Sequence, residues 1–263
     1  STACTDRSTD RVVGGPADAL RSVHPERTGD CRIDRLPDRP GCTRTAATTP
    51  GATMTNDAAF WNKLAERYAK QPLSNPDAFE QKIAITRSLM SPGCALLEVG
   101  CGTGSLALRL ASAAGRIHGL DVSSEMIGIA QSKATAAGVS NVTFQTGPFD
   151  EGFHAIGPAS VDGVCAYSIL HLLPDRTAAL ARIHDLIKPG GFFVSSTVCL
   201  GDSWVPYRPV IALARLLGKA PWVAIITRQA LLDELVAAGF EQVEARDVGG
   251  TKSVAFIVAR KPG

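Results

Sequence analysis

From residue 56 onward the apolar positions change period again and again, and the order of those changes predicts the architecture. Asn56 or Asp57 is placed to cap a helix in which Phe60, Trp61, Leu64, Ala65 and Tyr68 recur at three-to-four spacing, and Pro72 stops it. A second helix is expected over 77–90, with Phe79, Ile83, Ile85 and Leu89 on its apolar side and Pro92-Gly93 after it. Strands and helices then alternate. An apolar run at 95–99 leads to a helix pattern at 105–114, a strand at 116–120, a helix at 123–137 closed by Gly138, and a strand at 142–145. The series resumes with a strand at 161–167, a helix at 176–188 ended by Pro189-Gly190-Gly191, and a strand at 192–198. After an apolar, proline-punctuated insertion at 204–226, a helix at 228–238 ends on Gly239, and alternating strands follow at 241–248 and 253–260. Short connections between alternating strands and helices predict a doubly wound α/β domain with a seven-stranded, mostly parallel sheet covered on both faces. Gly249-Gly250 reads as a hairpin turn, so one strand should run antiparallel, and residues 54–92 should form an N-terminal helical cap.

Residues 1–53 break with this pattern. They hold eight Arg and no Lys, no aromatic residue, and scattered Val, Leu and Ile without period, too little apolar surface to offset the entropy of ordering. Met54, the first methionine, therefore reads as the start of a folded domain over 54–263. The preceding stretch is either a non-native remnant such as translated upstream sequence, or a disordered or targeting extension. Asp6, Asp10, Asp18, Glu26, Asp30, Asp34 and Asp38 count against a transit peptide.

Composition narrows the partners. A chain of 263 residues with 45% hydrophobic content is neither disordered throughout nor collagen-like. Lys and Arg number 27 against 25 Asp and Glu, and a formal charge of +2 does not provide the field that phosphate neutralisation requires, so nucleic acid is not an expected partner. No apolar run reaches about 18 residues and the first residues lack a secretory profile, which predicts no transmembrane segment and a cytoplasmic location. The seven cysteines form no C-x-x-C pair and suggest neither a disulfide framework nor a metal site.

Candidate chemistry concentrates in Glu98-Val-Gly-Cys-Gly-Thr-Gly104, which follows the first strand and opens a helix, where a parallel sheet places its ligand crevice. Gly100, Gly102 and Gly104 permit a tight turn and close backbone approach. The G-x-G-x-G spacing is not the dinucleotide G-x-G-x-x-G, and no Gly-Lys-Ser/Thr follows. Glu98 would repel a pyrophosphate but suits an ammonium. Asp121, at the end of the second strand, stands where ribose hydroxyls are bound. A nucleoside with an amino-acid tail and no phosphate fits both acids, and S-adenosylmethionine is such a ligand.

These segments resemble the class I methyltransferase family, in particular its quinone-biosynthesis-like and small-molecule branch, over roughly residues 60–261. The resemblance is carried also by Leu120-Asp-Val-Ser-Ser-Glu-Met126, by Val161-Asp-Gly-Val-Cys-Ala-Tyr-Ser-Ile-Leu-His-Leu-Leu173 and by Ile187-Lys-Pro-Gly-Gly191. It implies a Rossmann-like fold and S-adenosylmethionine as cofactor. It implies further that the turn at 100–104, Cys101 included, packs on the methionine and ribose, that Asp121 takes the ribose hydroxyls, and that Val122 and Met126 lie against adenine. Asp150, with Phe149 beside it, is the candidate for the adenine amino group, although Gly147 is followed by Pro148-Phe149 where the family usually has Asp at once. Tyr167, Ser168 and Ile169 would line the crevice beside the sulfonium.

His171 follows a strand end and is a candidate either for general base or, preferred here, for a residue that holds the 170–175 loop. Tyr167 is as much a pocket wall as a proton donor. Cys101 reads as a tolerated small residue. Trp61 and Tyr68 fit a lid over the cofactor or plain core packing equally well. The insertion at 204–226, with Trp204, Tyr207, Leu213, Leu216 and Trp222 among Arg208, Arg215 and Lys219, is expected to roof an apolar or amphipathic acceptor. An extra core helix or weak contact with a membrane surface are the other readings. A dinucleotide-dependent oxidoreductase and a cofactor-binding scaffold without turnover are the alternatives to methyl transfer onto a small-molecule acceptor.

Overall fold

A computed structural model describes residues 50–263, with side chains from residue 57 onward. Its strands are β1 (Ala95–Val99), β2 (Arg116–Asp121), β3 (Val142–Thr146), β4 (Val161–Tyr167), β5 (Ile187–Val198), β6 (Glu241–Arg246) and β7 (Val254–Arg260). They form one seven-stranded sheet in the order β3-β2-β1-β4-β5-β7-β6. The first five are mutually parallel, and β7 is antiparallel to both of its neighbours. The doubly wound sheet with one antiparallel strand is as the pattern predicts.

Every residue of β1 is buried, as a central parallel strand covered on both faces requires. Adjacent residues then serve opposite faces. Leu97, Val164, Ala166 and Phe193 join a core completed by α5 (Arg176–Leu186) and α7 (Arg228–Ala237). Leu96, Cys165, Phe192 and Val194 join a second core with α2 (Pro76–Ser88) and α3 (Ser105–Leu110). Caps fix where helices begin: Asn75 Oδ1 accepts from Ala78 N–H, Asp175 Oδ1 from Ala178 N–H and Thr227 Oγ1 from Ala230 N–H.

Two boundaries depart from the sequence reading. Helix α1 runs Pro50–Lys70, so the helical cap begins ahead of the 53/54 boundary and of the expected cap at Asn56 or Asp57. The reading of the extension otherwise falls on residues 1–49, which lie outside the described residues. The second departure is at 187–191, expected as a helix end and a Pro-Gly-Gly stop. Helix α5 instead ends at Leu186, and β5 starts at once because Ile187 pairs with Val161 of β4. The register shifts between Val161 and Gly163, and Pro189 sits within the stretch that this irregularity leaves out of the ladder, where its missing N–H is no loss. The insertion holds α6 (Tyr207–Leu216), and no helix among the described residues is long and apolar enough to cross a membrane.

Candidate active site

Strands β1 and β2 carry their acids to the same edge of the sheet. Leu120 O accepts from Gly100 N–H at 2.8 Å and from Cys101 N–H at 3.0 Å, which folds the glycine turn back over β2. Asp121 then clamps it: Oδ2 accepts from Gly102 N–H and Oδ1 from Ser123 N–H, both at 2.9 Å. Gly100 has φ +71°, and a Cβ there would stand 2.7 Å from the Ile169 Cβ, so only glycine lets the turn lie against the loop after β4. Gly102 has φ +53° and open space where its Cβ would be.

Glu98 is 4% exposed. Helix α3 begins after Gly104, which has no side chain to cap it, and the Ala107 N–H is instead hydrogen-bonded to Glu98. Glu98 Oε2 is buried and has no partner among the described residues. Burial, opposed by the Ala107 N–H and reinforced by the Asp121 charge, pushes the Glu98 pKa up to about 8. Burial also raises that of Asp121, with the Ser123 and Gly102 N–H groups opposing it. No Lys or Arg pairs with either carboxylate among the described residues.

Helix α1 reaches this edge. The Tyr68 side chain is half exposed, and partial burial, with the charges of Asp121 and Glu98, raises its pKa. Asn62 Oδ1 accepts from Ser123 Oγ–H at 2.6 Å and from Glu125 N–H at 3.3 Å, at the start of α4 (Ser124–Ala136), while Ser123 Oγ accepts from Met126 N–H at 3.1 Å. Val122 is half-buried and Met126 buried beside this turn.

At the ends of β4 and β5, Ser168 takes a left-handed backbone (φ +57°), a strained conformation held by its N–H donating to Ser196 O at 2.7 Å. The Tyr167 hydroxyl lies 2.9 Å from Thr86 Oγ1 and donates to Lys82 O at 3.3 Å, and burial holds its phenol well above the usual range. The Tyr167 hydroxyl is thus engaged with α2. His171 sits in a 3-10 turn (Leu170–Leu172), and its carbonyl accepts from Ala224 N–H at 2.8 Å. Its Nδ1 is buried without a partner among the described residues, and burial pushes its pKa down to about 4, which leaves a neutral imidazole at pH 7 and a weak base. Segment 222–226 straps this region together, with Trp222 N–H donating to Asp57 Oδ1 at 3.4 Å and Gly201 N–H to Ile226 O at 2.8 Å.

Other expected site residues already have partners within the protein. The Phe149 ring is in the core, 5.7 Å from the Phe153 ring and beneath the Arg182 guanidinium, so it has little face left for a ligand. Asp150 is exposed, and its Oδ1 accepts from Gly152 N–H at 2.8 Å within its own turn. Cys101 is buried and its thiol pKa is raised, mainly by burial, so the helix end does not activate it. Asn62, Lys82, Thr86 and Ser196 carry no signal in the sequence. Lys82 Nζ donates to Ser196 Oγ at 2.9 Å across 114 positions of chain, and no motif announces the pair.

The donors present suit a cation for Glu98 and hydroxyls for the remaining lone pairs of Asp121, with an open backbone turn between them. Glu98 becomes charged only by giving up its proton, which an incoming cation favours and a dinucleotide pyrophosphate opposes. A family model described as a methyltransferase domain matches residues 90–239, more than half of the chain. The chain belongs to the class I methyltransferase family. Among the relatives of this methyltransferase-family chain, the ubiquinone biosynthesis O-methyltransferase of Paracidovorax citrulli is 31% identical over 106 residues, 40% of this chain and 44% of the relative. The (+)-O-methylkolavelool synthase of Herpetosiphon aurantiacus is 27% identical over 187 residues, 68% of this chain and 62% of the relative. The chain thus spans only part of each relative. The fold matches that of the Haemonchus contortus phosphoethanolamine N-methyltransferase 2 solved in complex with S-adenosyl-L-methionine, with a TM-score of 0.61 at 17% identity, over 84% of this chain and 59% of that one.

Proposed function

We propose that the chain binds S-adenosylmethionine at the β1 and β2 ends and transfers its methyl group to a small, apolar or amphipathic acceptor. The observation that carries this reading is the buried, unpaired Glu98 Oε2 beside an Asp121 anchored by two backbone N–H groups. When bound, S-adenosylmethionine supplies a methyl group on a positively charged sulfur. Glu98 meets the ammonium of its amino-acid tail, and Asp121 accepts from the ribose hydroxyls without moving, because Gly102 and Ser123 hold it. The glycine turn lets the backbone approach, Val122 and Met126 would flank the base, and the Asp150 oxygen that is not bonded to Gly152 would be left for its amino group.

On the acceptor side, Tyr167 and Ser168 form the wall, and His171 holds its turn to the strap at Ala224. The protein contributes proximity and orientation; a phenolate-like oxygen, an amine or an enolate carbon needs no strong base. The O-methylated product in one relative's name and the apolar insertion support an acceptor of this character. Two measurements test the reading. Titration calorimetry should show binding of S-adenosylmethionine and none of NAD. Incubation with methyl-labelled S-adenosylmethionine and a metabolite extract should yield a labelled small molecule, and saturable binding without any labelled product would leave a scaffold without turnover.

A further inference from the structure

Helix α6 is seated on the domain by one side only. Tyr207, Ile211 and Ala214, at i, i+4 and i+7, are half-buried against the protein, whereas the outward positions Pro209, Ala212, Leu213 and Leu216 are all exposed and all apolar. The projection is large: Trp204 is 93% exposed, Leu216 83% and Leu213 59%, with Val210 and Leu217 close behind. An ordinary monomer scatters such residues singly, and a contiguous apolar crown marks a contact surface. Charge says which kind. From 203 to 226 there is no Asp or Glu, while Arg208 and Arg215 share one flank of the helix and Lys219 follows it. No carboxylate lies within 4 Å of these three cations among the described residues. Arg215 exerts only a minor effect on Asp57, behind burial and the Trp222 N–H. Arg208 and Arg215 also border a groove of about 300 Å³ shared with Ile211, Trp222 and Ile225, where a charged headgroup would sit beside apolar wall.

We propose that residues 204–219 dock the domain on an anionic phospholipid surface, with Trp204, Leu213 and Leu216 entering the acyl boundary and Arg208, Arg215 and Lys219 meeting headgroup phosphates. An apolar crown flanked by cations and free of acids is the pattern of a helix lying in the membrane interface. The docking face adjoins the strap at 222–226, so the crevice would open close to the lipid surface, where an apolar acceptor concentrates. The binding itself does not rest on the methyl-transfer reading, and either can fail without the other.

The test is flotation of the full chain with phosphatidylcholine vesicles with and without phosphatidylglycerol. The chain should float with the anionic vesicles, and added salt should release it. The pair Leu213→Gln and Leu216→Gln should cut binding by at least about a hundredfold. Arg208→Gln with Arg215→Gln should weaken anionic binding by about thirtyfold and narrow the preference between vesicle types to what Lys219 alone supplies. Trp204→Ser, at a side chain that packs on almost nothing, must also weaken flotation, and it does so without risk to folding. The proposal is overturned if the chain stays out of both vesicle types. It is equally overturned if light scattering finds a dimer that Leu216→Gln dissociates, since a second copy would then cover the crown.

Discussion

Acids stand at both ends of the central strands, and the chain treats them in opposite ways. At the amino end, Asp162 of β4 pairs with Lys188 Nζ at 2.7 Å and accepts from Ala95 N–H at 2.7 Å. Burial alone would raise its pKa, but the Lys188 hydrogen bond, the Ala95 N–H and the charges of Lys188 and Arg116 outweigh that and hold it below the usual range. At the carboxyl end, Glu98 and Asp121 receive only backbone N–H groups, and burial raises both. One end satisfies its own charge and ties strands together. The other carries a demand for positive charge that nothing in the described chain meets, which is the electrostatic signature of a ligand site.

Breaking the carboxyl end should cost most. Asp121→Ala removes the proposed ribose acceptor together with its bonds to Gly102 of the turn and to Ser123, and S-adenosylmethionine affinity should fall by about 3 kcal/mol, roughly a hundredfold or more. Calorimetry on a folded mutant reads this directly, and unchanged affinity would remove Asp121 from the site. Proton linkage at Glu98 comes next. With a pKa of about 8, Glu98 must give up a proton to meet an ammonium. Affinity should therefore rise about tenfold per pH unit from about pH 6 toward about pH 8, where the ligand's own amino group begins to titrate. Glu98→Gln should bind weakly with a flat profile; a slope that survives in this variant would place the proton elsewhere.

The same shift fixes a stability trend of opposite sign at the two ends. The native protein keeps a Glu98 proton that the unfolded chain releases, so its contribution destabilises the ligand-free fold progressively between pH 4.5 and about 8. Asp162, with its pKa lowered, stabilises above its ordinary value and loses that contribution as pH falls through its native pKa. A smaller effect is expected at the turn itself. Gly100→Ala forces a Cβ toward Ile169 at a positive φ, and should lower stability by about 2 kcal/mol, read as a drop in Tm. The smallest is Asp162→Asn. Its ion pair is about 40% exposed, so roughly 1 kcal/mol or less of stability should go, with S-adenosylmethionine affinity untouched. Weakened cofactor binding in that variant would mean that the two ends are not independent.

The features legible in the sequence were those written over short spans. The runs at 95–99 and 161–167 became β1 and β4 as read, and the glycine turn and Asp121 met at one edge because a parallel sheet aligns the carboxyl ends of its strands. The start of β5 was hidden because Ile187 extends the apolar spacing of α5 through Ile183. Only pairing with Val161, made by the fold as a whole, turns that residue into strand. Phe149 was read through its neighbour Asp150, yet its ring answers to Phe153 and Arg182. Lys82 with Ser196 and Asn62 with Ser123 join helices to strand ends across long stretches of chain, and such pairs have no local pattern to betray them.

The Asn62 contact has a consequence that hydrogen exchange can read. Glu125 lies in the first turn of α4, where a backbone N–H has no partner within its own helix, and the bond it makes is to Asn62 Oδ1 on α1. Protection of that single amide is therefore supplied from outside the helix. Each time α1 lifts away, the Glu125 proton is open to solvent, and its exchange rate becomes a clock for the opening of the helix that holds Ser123, two residues beyond Asp121.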